Sequence, residues 1–211
     1  MTELRPRRST PLRLFAALLL AACTPAEPLR FYGLNPLAEP APAAESGLAI
    51  GVVPINLAAY LDRSGIVVRT SPNELAISAQ HNWVEPLDAQ ARRVVARNLA
   101  AMLGTDRVFI LPEQRLLPLD YTVEIAIERF EIVAAGGDGV VALETAPETA
   151  VLEARWTLLA GDDRRVLRTA FERQEVGVER SASFEHRVAA MSDALGRLTR
   201  SVATEIAARR S

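Results

Sequence analysis

Few residues in this chain have the chemistry for catalysis. There is one cysteine, Cys23, there are two histidines, His81 and His186, and all 24 basic residues are arginine. A single cysteine excludes an intrachain disulfide and a cysteine-cluster metal site. The absence of lysine excludes a Walker-type phosphate loop, Schiff-base catalysis and a Ser-Lys pair, because each of them needs an amine.

His81 and Glu85 are a histidine and a glutamate close in sequence, residue types that can do acid–base work. They flank Trp83 in a segment that we interpret as a loop before a helix. One hypothesis is therefore an envelope hydrolase that uses His81 and Glu85. The simpler interpretation is a loop that Trp83 fixes to the core, since no G-x-S-x-G, HExxH or G-x-G-x-x-G motif accompanies the pair. We assign no catalytic residue and no metal ligand, and place His186 on the solvated side of the last helix.

The first 23 residues explain the cysteine. Four arginines precede nine apolar residues, Leu14 to Ala22, and the run ends at Cys23. Nine residues are too few to cross a bilayer, which needs about 20, but they suit the core of a signal peptide. The sequence Leu20-Ala21-Ala22-Cys23 resembles a bacterial lipobox, in which the cysteine thiol receives the lipid.

This resemblance implies that residues 1–22 are a signal peptide and that Cys23 is lipidated, with palmitate among its acyl chains. Thr24 follows the cysteine, where Asp would favour retention in the inner membrane, so we expect an anchor in the inner leaflet of the outer membrane. Removal of residues 1–22 lowers the formal net charge from -2 to -5. Nucleic acid is therefore not an expected partner, and no cofactor is expected beyond the covalent lipid.

Residues 23–47 have the composition of a tether. They include five prolines, and an apolar segment, Phe31-Tyr32-Gly33-Leu34, that predicts a short strand docked on the domain edge. The remainder, Pro36 to Gly47, predicts a loop. About 20 extended residues would give the domain a reach on the order of 60 Å from the membrane.

Residues 48–211 predict a single periplasmic domain. The periodicities indicate strands at 48–53, 66–69, 74–78, 108–111, 121–128, 140–143, 151–159 and 166–176, a turn at 58–62, and helices at 86–104 and 183–208. The alternation that begins at Tyr121 slips by one residue before Phe130, which predicts a β-bulge. Gly136-Gly137-Asp138-Gly139 predicts a hairpin turn, because it lacks the further oxygen ligands of a calcium loop.

These elements predict an α+β fold. We expect a two-layer sandwich, in which a mostly antiparallel sheet carries two long helices packed on one face.

Several segments together resemble a known family. They are the lipoprotein signal, Phe31-Tyr32 with Leu34, Tyr60-Leu61-Asp62-Arg63, Ile66-Val67-Val68-Arg69, Trp83-Val84-Glu85-Pro86-Leu87, Phe130 and Arg155-Trp156. By these segments the chain is similar to the ABC-type transport auxiliary lipoprotein family, also called the membrane integrity-associated transporter subunit, whose best-known member is paraquat-inducible protein C.

The resemblance implies a non-enzymatic accessory or docking subunit of an MCE-type ABC system that moves lipids between the two membranes and supports envelope integrity. Its implied partners are an MCE-domain protein and, through it, an inner-membrane ABC permease and ATPase; homo-oligomerisation stays open. Tyr60, Leu61, Asp62, Arg63, Trp83, Glu85 and Pro86 match the family motifs, as structural residues or partner contacts. The alternatives are a structural assembly lipoprotein of another envelope machine and, last, the hydrolase.

Overall fold

The computed structural model describes residues 28–37, 47–112, 118–134, 148–161, 165–179 and 182–209. In this part of the chain nine strands form one sheet and two α-helices lie against it. The strands are β1 (Arg30–Tyr32), β2 (Ile50–Val52), β3 (Asn56–Leu57), β4 (Gly65–Ser71), β5 (Glu74–Trp83), β6 (Val108–Ile110), β7 (Tyr121–Val133), β8 (Glu148–Ala160) and β9 (Arg165–Val178). The helices are α1 (Leu87–Leu103) and α2 (Phe184–Ala208), and a 3-10 turn covers Ala59–Leu61.

The long strand β7 organises the sheet. One of its edges pairs in succession with β2, β3 and β4, all in parallel, and its other edge pairs with β8. The long pairings, β4–β5, β7–β8 and β8–β9, are antiparallel, whereas β1 and β6 make short parallel pairings with β5 and β2. The α+β prediction is confirmed, and the short parallel segments make the sheet mixed.

The core lies between the sheet and the two helices. Alternate residues of β7 and β8 face this layer, and Phe130, Leu152 and Trp156 among them are at most 3% exposed. The fully buried Leu195 and Leu198 of α2 lie on the facing side. Trp156 is thus a core residue, as its position between apolar neighbours predicts.

The bulge predicted in β7 is present. The pairing with β8 shifts register between Ile127 and Arg129. An extra residue moves every later side chain to the opposite face, so Phe130 and Ile132 point into the core and Glu131 points to the outer face of the sheet.

Both long helices occur where their periodicity predicts them. Pro86 is the N-cap of α1, and Gly104 ends it with φ of 60°, donating its N–H to Ala100 O. This left-handed conformation favours glycine, which has no Cβ to clash. The second helix begins after Ser183, and His186 lies in its first turn, exposed.

The expected strands of the described part are all present, with ends shifted by up to five residues, and a turn at Pro72-Asn73 joins β4 to β5. Gly136-Gly137-Asp138-Gly139 and the strand predicted at 140–143 lie outside the described residues.

His81 is on a strand, so the loop interpretation was wrong. β5 extends to Trp83 because β1 pairs with its last three residues, and Arg30 lies opposite His81. This pairing partner is about 50 residues away in sequence. The period-two pattern of residues 74–78 stops before residue 83, so it does not predict the longer strand.

The N-terminal segment Pro28–Leu37, which we call the arm, lies along the domain. Its strand covers Arg30–Tyr32 rather than 31–34. Pro36 and Leu37, expected in a loop, are half-buried, and the Leu37 N–H donates to Asn98 Oδ1 of α1 at 3.0 Å. The stretch able to serve as a tether is therefore shorter than composition alone predicts.

Candidate functional site

Three motif segments meet at one end of the sheet. Tyr32 of β1 lies opposite Trp83 of β5, and its carbonyl accepts the Val84 N–H at 2.9 Å. On the other side of β5, the Trp83 N–H donates to Ser64 O at 2.7 Å, directly after Arg63. The sheet thus joins the Phe-Tyr, Tyr-Leu-Asp-Arg and Trp-Val-Glu-Pro segments, which we call the motif end.

Tyr60 is fixed to a buried carboxylate. Its hydroxyl donates to Glu131 Oε2 at 2.9 Å, and Glu131 is fully buried. Arg69 Nε and Arg129 Nη2 donate to Glu131 Oε1 at 2.5 and 2.7 Å. A buried carboxylate needs such partners because desolvation of an unpaired charge costs several kcal/mol. We call these four residues the Glu131 cluster.

The cluster changes the acidity of the tyrosine. Burial, and then the neighbouring charge and hydrogen bond of Glu131, raise the pKa of Tyr60 well above its ordinary range; Arg129 and Arg69 oppose the shift. Tyr60 therefore remains a protonated donor to Glu131 throughout the physiological pH range.

Leu61 and Trp83 are core residues. Leu61 is 2% exposed and Trp83 is 5% exposed. The Trp83 indole stacks against Phe130, with 6.5 Å between ring centroids and an interplanar angle of 5°. These two motif positions anchor the motif end to the layer under the helices.

Glu85 and Pro86 shape the start of α1. The Glu85 carboxylate accepts from the Arg93 guanidinium, and the Glu85 carbonyl accepts from Gln90 Nε2 at 2.7 Å. Pro86 is exposed and has the extended backbone that suits an N-cap position. Both contacts keep α1 against the end of β5.

Asp62 and Arg63 are the motif residues left facing solvent with their charges available. Both are exposed, and neither makes a side-chain hydrogen bond or an ion pair with a described residue. A partner could therefore engage them without breaking an internal contact.

His81 is part of an aromatic contact between β1, β5 and α2. Its ring stacks on Phe184 at 3.8 Å with an interplanar angle of 6°, and its Nδ1 bonds the Tyr32 hydroxyl at 2.9 Å. The Tyr32 ring also lies 5.3 Å from that of Phe184. The ring of His81 thus ties the arm and the start of α2 to the sheet.

His81 and Glu85 each make their known contacts with other residues. Their side chains engage different partners, Tyr32 and Phe184 for the histidine and Arg93 for the glutamate. Within the described ranges no three His, Cys, Asp or Glu side chains group as metal ligands. An open groove of about 550 Å³ between α2 and β9 is lined by Trp156, Glu172 and Arg200 but by neither member of the pair.

Comparison with known proteins gives the family. The model of the ABC-type transport auxiliary lipoprotein component matches residues 32–203, most of the chain. The chain belongs to this family. No curated protein matches it significantly.

Solved structures agree on the fold. Protein XCC0632 from Xanthomonas campestris superposes with a TM-score of 0.64 at 23% identity, covering 82% of this chain and 92% of that one. An uncharacterized protein gives 0.62 at 18% identity, covering 85% and 99%.

Family membership identifies the chain as an auxiliary lipoprotein of ABC-type transport, a class associated with a transporter in the cell envelope. This supports an accessory role rather than an enzymatic one. No helix in the described ranges is long and apolar enough to span a bilayer. Cys23 lies outside the described residues, and its lipidation stays a prediction.

Sequence reasoning missed the buried polar residues that hold the arm. Gln90 Oε1 accepts the Leu34 N–H at 2.9 Å, Ser192 Oγ accepts the Asn35 N–H at 3.1 Å, and Asn98 accepts from Leu37. Gln90, Asn98 and Ser192 are at most 5% exposed. Their position on the otherwise apolar faces of α1 and α2 is the signal that could have found them, because a buried polar group needs a partner.

Proposed function

We propose that this protein is an outer-membrane-anchored, periplasm-facing docking subunit of an MCE-type ABC system that transports lipids between the membranes and supports envelope integrity. Membership of the auxiliary lipoprotein family over residues 32–203 is the observation that carries the proposal. The implied partners are an MCE-domain protein and, through it, an inner-membrane permease and ATPase.

Lipidation of Cys23 anchors the protein. The four arginines, the apolar core and the small residues before Cys23 support processing as a lipoprotein, and Thr24 supports export to the outer membrane. Several acyl chains make the attachment permanent, whereas one chain alone binds only marginally. Attachment also confines the protein to one membrane plane, which raises its effective concentration at a partner beneath that membrane.

Asp62 and Arg63 are the proposed docking contacts. The Glu131 cluster fixes Tyr60, and the core fixes Leu61, so the loop presents the two exposed charges on a rigid base. Preorganised charges favour specific recognition because little conformational entropy is lost on binding.

A charge exchange tests this contact. The double variant Asp62→Arg/Arg63→Asp preserves net charge and composition but reverses the local charge order. In crosslinked cells we expect it to recover several-fold less MCE-domain protein than wild type. The matched control Asp193→Arg/Arg197→Asp exchanges an exposed i,i+4 ion pair on α2 and should recover the wild-type amount. Equal recovery by both double variants would remove the assignment of Asp62 and Arg63.

The anchor has its own test. Cys23→Ser should abolish lipid attachment and release the protein from the outer-membrane fraction, while the folded domain is unchanged by circular dichroism. Wild-type protein in the inner-membrane fraction would contradict the proposed location.

A further inference from the structure

Three large hydrophobic side chains are exposed together at the motif end. Leu29 is 62% exposed, Phe31 is 61% exposed and Val84 is 59% exposed. Single exposed hydrophobic residues are ordinary on protein surfaces, but a contiguous group marks an interaction site.

The strand register makes the group contiguous. Phe31 lies opposite Asn82, so the two side chains share a face, and Val84 follows two residues later on that face. A methyl group on Gly33 would lie 3.7 Å from Val84 Cγ1, which places Val84 beside β1. Tyr32 points to the other face and packs on Phe184. Phe31 and Val84 therefore form one apolar surface, and Leu29 precedes Phe31 by two residues on the same segment. We call these three side chains the anchor-side patch.

The short segment between Cys23 and Leu29 limits how far this surface can lie from the membrane. Leu29 comes six positions after Cys23. An extended chain spans at most about 3.6 Å per residue, so Leu29 stays within roughly 22 Å of the lipidated residue. A domain of this size has a radius of gyration of about 15 Å, so a segment this short cannot carry the anchor around it. The end that bears the anchor-side patch therefore stays within roughly 22 Å of the leaflet that holds Cys23.

We propose that the anchor-side patch is a membrane-contact surface, through which the folded domain rests on the phospholipid leaflet that holds Cys23. The proposal rests on the lipidation of Cys23, which is part of the proposed function, but not on the transport partner. Aromatic and aliphatic side chains bind at the boundary between headgroups and acyl chains.

The lone cysteine makes a direct test practical. Lipidation converts the Cys23 thiol to a thioether, so a newly introduced cysteine is the only free thiol and takes a nitroxide spin label. The full lipidated chain carrying Val84→Cys is reconstituted in vesicles of phosphatidylethanolamine and phosphatidylglycerol. The matched control is Phe171→Cys, an exposed apolar position at 48% on β9, the far strand of the β7–β8–β9 part of the sheet.

We expect the label at position 84 to be several-fold more accessible to oxygen, which partitions into lipid, and several-fold less accessible to an aqueous nickel chelate than the label at position 171. Adding Leu29→Ser and Phe31→Ser to the Val84→Cys protein should return its label to the aqueous values. These positions are exposed, so the fold should be retained, and circular dichroism checks it.

Two results would overturn the proposal. One is equal aqueous accessibility at positions 84 and 171. The other is shielding at position 84 that disappears at low protein-to-lipid ratio, because then a second copy of the chain covers the patch. Either result with normal recovery of the MCE-domain protein would reject the membrane contact alone. Loss of attachment in the wild-type chain would instead reject the anchor and with it the proposed location.

Discussion

At the scale of the residue, Glu131 is the most constrained charge in the described part of the molecule. It is fully buried, and it receives hydrogen bonds from Arg69, Arg129 and Tyr60. The bulge in β7 places it on the outer face, away from the apolar layer. Arg129 also bonds Glu153, which in turn bonds Arg173, so the cluster continues across β8 and β9. This network holds the loop that presents Asp62 and Arg63.

Replacing the buried carboxylate should be costly. We expect Glu131→Gln to lower the free energy of unfolding by about 3 kcal/mol, because in a largely dry site Arg69 loses its counter-charge and Arg129 loses one of its carboxylate partners. Urea denaturation measures the change. The control, Glu175→Gln, removes a carboxylate that is 53% exposed and paired with Arg173, and should cost less than about 1 kcal/mol. Similar losses in the two variants would mean that burial does not govern the role of Glu131.

The tyrosine should add a pH dependence. The pKa of Tyr60 is raised in the folded state, so the stability contributed by its protonated hydroxyl is complete below the ordinary tyrosine pKa of about 10 and is lost as the pH rises above it. At neutral pH, Tyr60→Phe should be less stable than wild type by about 2 kcal/mol, since it removes a hydrogen bond to a charged acceptor. Denaturation at several pH values should show this difference shrinking at strongly alkaline pH; a difference that stays constant would contradict it.

Sequence alone could single out two of the four residues of the Glu131 cluster, Tyr60 and Arg69. Tyr60 belongs to a segment that resembles a family motif, but nothing in the sequence indicates that Glu131 is buried. It lies between Phe130 and Ile132, where the alternation after the bulge points a polar side chain to the outer face of the sheet. Its burial depends on Tyr60 and Arg69, more than 60 residues away, and on a bulge whose consequences are three-dimensional.

At the scale of the element, the arm is hydrogen-bonded to both helices. Three of its backbone N–H groups donate to buried side chains, two on α1 and one on α2. Its Leu37 side chain packs where α2 has Gly196, and a Cβ there would lie 2.1 Å from Leu37 Cδ1. The absence of a side chain at Gly196 therefore leaves space for the Leu37 side chain.

Loss of one of the side chains that bond the arm should loosen it. Gln90→Leu removes the acceptor for the Leu34 N–H and the donor to the Glu85 carbonyl. We expect faster hydrogen–deuterium exchange across residues 28–37 and a loss of about 1–3 kcal/mol in stability. Gln80→Leu makes the same change at an exposed position on β5 and should leave exchange in the arm unaltered. Unchanged exchange in Gln90→Leu would show that the arm is held by other contacts.

Elements with a strong local pattern were predictable. Both long helices, the β4–β5 hairpin and the bulge in β7 follow from the spacing of apolar residues within each segment. The short parallel pairings of β1, β2 and β3 were not, because strands of two or three residues carry too few side chains to show a period. The bonds that hold the arm connect residues up to 157 positions apart, and no local pattern encodes them.

At the scale of the whole molecule, the position of the arm sets the distance to the membrane. Composition suggested a tether of about 20 residues, but residues 28–37 lie against the domain, so only four residues separate Pro28 from Cys23. With Cys23 lipidated as proposed, the motif end would be held close to the leaflet, and Asp62 and Arg63 would be presented near the membrane surface rather than deep in the periplasm. A partner would then have to approach the outer membrane to reach them.

Photo-crosslinking in living cells tests the docking account most directly. A photoreactive amino acid in place of Asp62, in the full lipidated chain, reports which protein touches the exposed loop, and mass spectrometry identifies the product. The account predicts a crosslink to an MCE-domain protein, and little or none from the same group at Asp193 on α2. A crosslink from position 62 only to another envelope machine, or to nothing at all, would contradict it.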